Sequence, residues 1–283
     1  GNFKVMKLRL LSILFLLNFL WLPEAIEAAP LYAQAKSPAK QYIPCGLGLV
    51  ENNLLKRASL QLADVPGGSV KITFVGHSTF MMETPKGVAV STDYAGLQTP
   101  DRTPDIVTMN NSHSSHWTDF IDPKITHVLR GWDPAGGIAR HLLRFKDMRI
   151  YNLPTNIFDF GKGAMNGNSV FVYEAGGLCM AHLGHLHHFL SKEQVAQLGR
   201  IDVLYVPIDG VNTLSHEEAL HIIGQINPRV IMPMHLSAFG EAEAFPSTAG
   251  QKYKVKFLEK DNIVLNRSML PFKTEVWFLT EKF

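Results

Sequence analysis

The stretch Asp105–Asp119, DIVTMNNSHSSHWTD, converts a strand signal into a polar loop that carries two histidines. Ile106-Val107-Thr108-Met109 is apolar and β-prone, and it stops abruptly in Asn110-Asn111-Ser112. A strand that empties into small polar residues, with imidazoles three apart at His113 and His116, is a common way to hold a metal at a sheet edge. Taken alone, the segment reads equally well as a solvated loop with two incidental histidines. Met180-Ala181-His182-Leu183-Gly184-His185 and Pro233-Met234-His235 shift that balance, because they too set histidines just behind apolar, strand-like runs. Three strand ends that each deliver histidine read as one site.

Working outward, Val70, Ile72 and Phe74 alternate with Lys71 and Thr73, the period of a half-buried strand. Gly76-His77-Ser78 interrupts it, Thr79–Glu83 resumes, and Val88–Asp93 follows a Pro85-Lys86-Gly87 turn. Further strands are expected at Arg149–Leu153, Ser169–Tyr173, Leu178–Ala181, Asp202–Val206 and Arg229–Pro233, with a β-rich tail beyond Tyr253. Ser191-Lys192-Glu193-Gln194 and Ser215-His216-Glu217-Glu218 are capping boxes. The first opens a helix to about Leu198; the second opens one carrying Leu220, Ile222, Ile223 and Ile226, stopped by Asn227-Pro228. Strand clusters closed by helices imply two packed sheets with helices outside.

Residues 1–35 have the basic, apolar, A-x-A order of a secretory signal peptide. Lys4, Lys7 and Arg9 precede Leu10–Leu17, and Ala33-Gln34-Ala35 offers a cleavage site, with Ala28 or Ala29 as alternatives. Asn18 and Pro23 break the run short of a membrane span. A periplasmic or secreted location is therefore expected, with no stable span after cleavage. Residues 36–68 read as a tether and lead-in, and 69–283 as one domain. Cleavage takes the formal charge from +2 to +1, which provides no electrostatic case for nucleic acid. Cys45 and Cys179 could pair in an oxidising compartment, but Cys179 lies in an apolar run where a buried free thiol is the ordinary outcome. Spacing cannot decide between the two.

Gly76-His77-Ser78-Thr79-Phe80, Ser91-Thr92-Asp93, His182-Leu183-Gly184-His185 and Pro233-Met234-His235, in that order, resemble the metallo-β-lactamase fold. The branch most resembled contains the ascorbate-6-phosphate lactonase and the N-acyl-phosphatidylethanolamine phospholipase D. The resemblance runs from about Ser69 to His235 and implies a four-layer αββα sandwich. It also implies a one- or two-metal site that hydrolyses small-molecule esters, lactones, amides or phosphodiesters with a metal-bound water.

The chain departs from that pattern at several ligands. The family's H-x-H-x-D-H falls on Asn111, His113, Ser115 and His116, so one histidine and the aspartate are missing. No histidine stands near Pro154–Ile157, and His185 replaces the bridging aspartate. What remains suggests a rebuilt, mononuclear centre of His113, His116, His185 and His235, with His113 and His116 nearest the chemistry. His77, Asp93, Asn111, Ser115 and His182 are expected behind the ligands, orienting them. His187 and His188 read as rim residues, and Asp209-Gly210 as a lining of the cleft. An all-imidazole set suits zinc first, with copper, iron, nickel or manganese also open. Three functions fit: an exported hydrolase, a non-hydrolytic metal enzyme with redox chemistry, and a binding protein on a retired hydrolase scaffold.

Overall fold

The computed structural model describes residues 43–46, 65–110, 114–159, 162–236 and 240–282. The expected signal, most of the tether, Asn111 and His113 lie outside these residues. The first sheet contains β1 (Ser69–Gly76), β2 (Thr79–Glu83), β3 (Ala89–Ser91), β4 (Ile106–Met109) and β5 (His127–Arg130). The second contains β6 (Leu142–Phe145), β7 (Met148–Asp159), β8 (Lys162–Ala175), β9 (Leu178–His182), β10 (Val203–Pro207), β11 (Val230–Met234), β12 (Lys254–Phe257) and β14 (Glu275–Phe278). The remaining strand, β13 (Asn262–Asn266), crosses back to the first sheet and pairs antiparallel with β1. The helices are α1 (Lys192–Leu198), α2 (His216–Ile226) and α3 (Phe245–Gly250).

Strand alternation divides the core into layers. In β10, Val203 and Tyr205 join the inter-sheet core, while Leu204 and Val206 face the helices. Val70, Ile72, Phe74, Phe80 and Ile106 of the first sheet meet Ile150, Phe171, Met180 and Met232 of the second. Tyr173 crosses this layer, its hydroxyl 2.7 Å from Thr108 Oγ1. Leu198 of α1, Ile222 and Ile223 of α2, and Phe245 and Ala249 of α3 cover the second sheet's other face. Each such fully buried leucine, isoleucine or phenylalanine contributes about 1.5–3 kcal/mol. The architecture is thus the mixed α/β fold with two stacked sheets that the sequence implied.

Both capping boxes form. Ser191 caps α1 with Gln194 reciprocating, and Ser215 caps α2 with Glu218. At the far end of α2, Asn227 takes a left-handed φ of 52° immediately before Pro228. The α3 helix, whose FPSTAG carries no N-terminal capping side chain, was not legible in the sequence.

Two expectations change. The strand β1 is not half-buried: Val75 packs with Met81 and Ala89 on the first sheet's outer side, and Thr73 is buried there too. Cys179 is not a free thiol but is bonded to Cys45, their Cα atoms 5.9 Å apart. Tertiary contact explains the pairing. Residues 43–46 lie beside the end of α1, where Cys45 bridges Gly199. The Tyr151 hydroxyl accepts from Cys45 N at 2.9 Å and donates to Leu198 O at 2.8 Å.

Candidate metal centre

Topology brings the site together. The strands β9, β10 and β11 run parallel, so their C-terminal ends emerge on one edge. In the first sheet β3 and β4 are also parallel, and their ends carry Asp93 and the loop to His116. The turn Gly76-His77-Ser78 between β1 and β2 completes the surround. His77 O accepts from His235 N at 2.7 Å, tying the two sheets at the site.

Buried carboxylates stand behind two imidazoles. Asp93 Oδ2 lies 2.8 Å from His116 Nδ1, and Ser78 Oγ lies 3.3 Å from the same nitrogen. Asp93 Oδ1 accepts from Asn110 Nδ2 at 2.8 Å, and Asn110 Oδ1 in turn accepts from Ser169 N at 2.9 Å. Burial by itself raises the Asp93 carboxyl, but His116, His182 and Asn110 together outweigh it and hold the group well below the usual carboxylate range. Asp209 repeats the arrangement at the end of β10, its Oδ1 3.3 Å from His235 Nδ1. Burial raises this carboxyl also; His235, the Thr213 hydroxyl and Asn212 N more than reverse it. A carboxylate on Nδ1 keeps the proton there and turns Nε2 into the nitrogen that would meet a metal.

His77, His116 and His235 each offer a nitrogen, and the three lie within 4.8 Å of one another. The His185 ring sits 4.9 Å from that of His116 and 5.5 Å from that of His235, between centroids. Behind it, His187 Nε2 is 2.6 Å from His185 Nδ1, so His187 is in contact with the cluster rather than only on the rim. Ser115, at the family's aspartate position, has its hydroxyl 3.1 Å from His77 Nε2. His77 therefore stands among the candidate donors, not only behind them. His182 is spoken for on both nitrogens, donating from Nε2 to Ser78 O at 2.8 Å and accepting at Nδ1 from Gly184 N at 3.0 Å. Its burial lowers the imidazole's pKa and favours this neutral form.

Three non-glycine residues here adopt positive φ: His77 at 53°, Asp93 at 41° and His235 at 63°. Each costs on the order of 1–2 kcal/mol, and their concentration in one cluster marks side-chain placement that the fold enforces. The donor set is borderline-soft nitrogen with carboxylates behind it. It fits zinc or a neighbouring transition metal rather than an oxygen-seeking ion such as magnesium.

The sequence profile of the beta-lactamase superfamily domain matches residues 71–235. The chain belongs to this superfamily. A UPF0173 metal-dependent hydrolase of Pyrococcus furiosus is 24% identical over 217 residues, covering 67% of this chain and 96% of the relative. A UPF0173 protein of Pyrococcus abyssi is 26% identical over 207 residues, covering 68% and 96%. A Thermotoga maritima crystal structure, described as a Zn-dependent hydrolase of the metallo-beta-lactamase superfamily, superposes with a TM-score of 0.55 at 26% identity, covering 74% of this chain and 98% of that one.

Within this superfamily chain, three contributors had roles that were not legible in the sequence. Asp209 was legible only as a cleft residue, although its D-G after a buried strand is the same strand-end signal that marked His235. Asn110 and Ser78 had no signal beyond lying next to marked residues.

Proposed function

We propose that this chain is an exported hydrolase that uses one divalent metal ion, zinc foremost, on an ester, lactone or phosphodiester. Its branch is the one resembling the ascorbate-6-phosphate lactonase and the N-acyl-phosphatidylethanolamine phospholipase D. The observation that carries the reading is the convergence of His77, His116 and His235 within 4.8 Å, with buried Asp93 and Asp209 on the Nδ1 atoms of the latter two. The metal-dependent hydrolase names of the relatives support the reaction class.

His116 and His235 would hold the ion, joined by His77 or His185. Bound there, a divalent ion supplies Lewis acidity toward a carbonyl or phosphoryl oxygen and lowers the pKa of water. The chain's own residues orient and exclude. Asp93 and Asp209 fix the tautomers of their imidazoles and stabilise positive charge on them. Ser115 holds His77, and His187 holds His185. With both of those carboxylates committed to imidazoles, proton transfer falls to His113 or to a group on the substrate.

Elemental analysis of protein purified without a histidine tag should give one metal equivalent, and turnover should appear on an ester, lactone and phosphodiester panel. Two equivalents retained through gel filtration would remove the mononuclear half. Loaded protein inert on the whole panel would remove the hydrolase half. The all-imidazole donor set favours a second reading, non-hydrolytic redox chemistry, which a coloured or paramagnetic protein as isolated would support. Export is supported by the signal pattern and by the Cys45–Cys179 bond, a bond typical of oxidising compartments. Secreted material should begin near Lys36; an intact N-terminus in a cytoplasmic fraction would refute export.

A further inference from the structure

A cavity of about 450 Å³ opens against the histidine cluster and shares His77 and Ser115 with it. Gly76, Gln98, Leu236, Glu281 and Lys282 complete most of its lining. Among the described residues, two of its polar groups are left without a full complement of partners. Glu281 Oε1 accepts from His77 N at 3.2 Å, yet among the described residues no cation is paired with this carboxylate. Gln98 Oε1 is buried and has no hydrogen-bond donor among the described residues. A buried acceptor left so carries a desolvation cost that a donor arriving from a ligand would relieve. Lys282, the one lysine or arginine among the described residues of the lining, is already committed, since its Nζ is ion-paired with Asp101. Among the described residues, the cavity therefore presents a carboxylate with no paired cation and an unsatisfied carbonyl oxygen beside the histidine cluster.

We infer that this cavity is a substrate subsite for a cationic group that donates hydrogen bonds, an ammonium or guanidinium. Glu281 would supply the charge and Gln98 the second acceptor. A guanidinium matches such a pair well, because its planar fork can satisfy a carboxylate and a neighbouring carbonyl together. The inference rests on the reading of the histidine cluster as the reaction centre, and it narrows the substrate to a hydrolysable molecule bearing a positive charge on one side of the scissile bond. Glu281 also fixes the His77 backbone, so the same carboxylate would couple recognition of the cation to placement of a candidate metal donor.

Calorimetry on the full, metal-loaded chain can test this with butylguanidinium and its neutral isostere butylurea. Neither competes for the metal as a free amine would. Butylguanidinium should bind on the order of tenfold more tightly, equivalent to about 1.4 kcal/mol. That preference should shrink with added salt. Glu281→Gln keeps an acceptor for His77 N and removes the charge, so it should bring the two probes to within about twofold. Asp101→Asn, which frees Lys282 to face Glu281, should weaken butylguanidinium several-fold and so provides an independent variant. Equal binding of both probes to the unmodified chain, or a preference untouched by both substitutions, would overturn the subsite. Turnover of neutral esters without any guanidinium preference would overturn it while leaving the hydrolase reading intact. Guanidinium preference in a chain inert on every ester, lactone and phosphodiester would uphold the subsite and remove the hydrolase reading.

Discussion

At the residue scale, the buried partners of the histidines matter as much as the histidines themselves. Asp209→Ala deletes the group facing His235 Nδ1 and releases Asn212 N and the Thr213 hydroxyl from their shared acceptor. Metal affinity should fall about 10–100-fold in a chelator competition, with secondary structure retained. An unchanged affinity would make Asp209 a loop anchor only. His185 and His187 form a linked test. His185→Ala should abolish tight retention, and His185→Asp should restore part of it through the carboxylate. His187→Ala, which removes the ring 2.6 Å from His185 Nδ1, should weaken retention about tenfold. Should both alanine variants keep their metal fully, His77 and not His185 completes the donor set. His216→Ala should leave metal content unchanged, because His216 Nε2 donates to Ile208 O within the packing of α2.

At the element scale, the joint between residues 43–46, α1 and β9 should dominate mutational stability away from the site. The Cys45–Cys179 bond spans a sequence separation of 134 residues. Replacing Cys45 by Ser should lower stability by about 2–4 kcal/mol in denaturant titrations, and reductant should reproduce the loss in the unmodified protein. A loss below about 0.5 kcal/mol would show that the unfolded chain is not constrained by the bond. Tyr151, at the same joint, has its phenol pushed up to about 12 by burial. The unfolded chain ionises this group at about 10, so its contribution is fully present below pH 10 and is lost as pH rises towards 12. Tyr151→Phe should remove that part of the alkaline slope, read from thermal unfolding between pH 9 and 12, roughly that window.

For the whole molecule, the candidate ligands come from both sheets: His77 and His116 from the first, His185 and His235 from the second. Metal binding should therefore stabilise the sandwich as a unit. With free metal at about 100 times its dissociation constant, linkage predicts about 2.7 kcal/mol, so chelation should lower the melting temperature by several degrees and resupply should restore it. A melting temperature indifferent to chelator would argue that the cluster binds no ion tightly.

The sequence by itself determined most of the local structure and marked three histidines of the cluster, while it set His77 only behind the ligands and His187 only on the rim. Strand and helix signals depend on near neighbours in the chain, which is why Ile106–Met109, Val230–Met234 and both capping boxes were legible directly. The histidines at 116, 185 and 235 were legible for the same reason, each lying just behind a β-rich run. Only the tertiary structure decided which groups meet across the chain. It placed Cys45 against Cys179, returned β13 to the first sheet beside β1, put Asp93 and Asp209 behind particular imidazoles, and set Glu281 beside His77, 204 positions away. Such pairings follow from how two sheets stack and where parallel strands end. Those are properties of packing over long sequence separations, and no local pattern of residues encodes them.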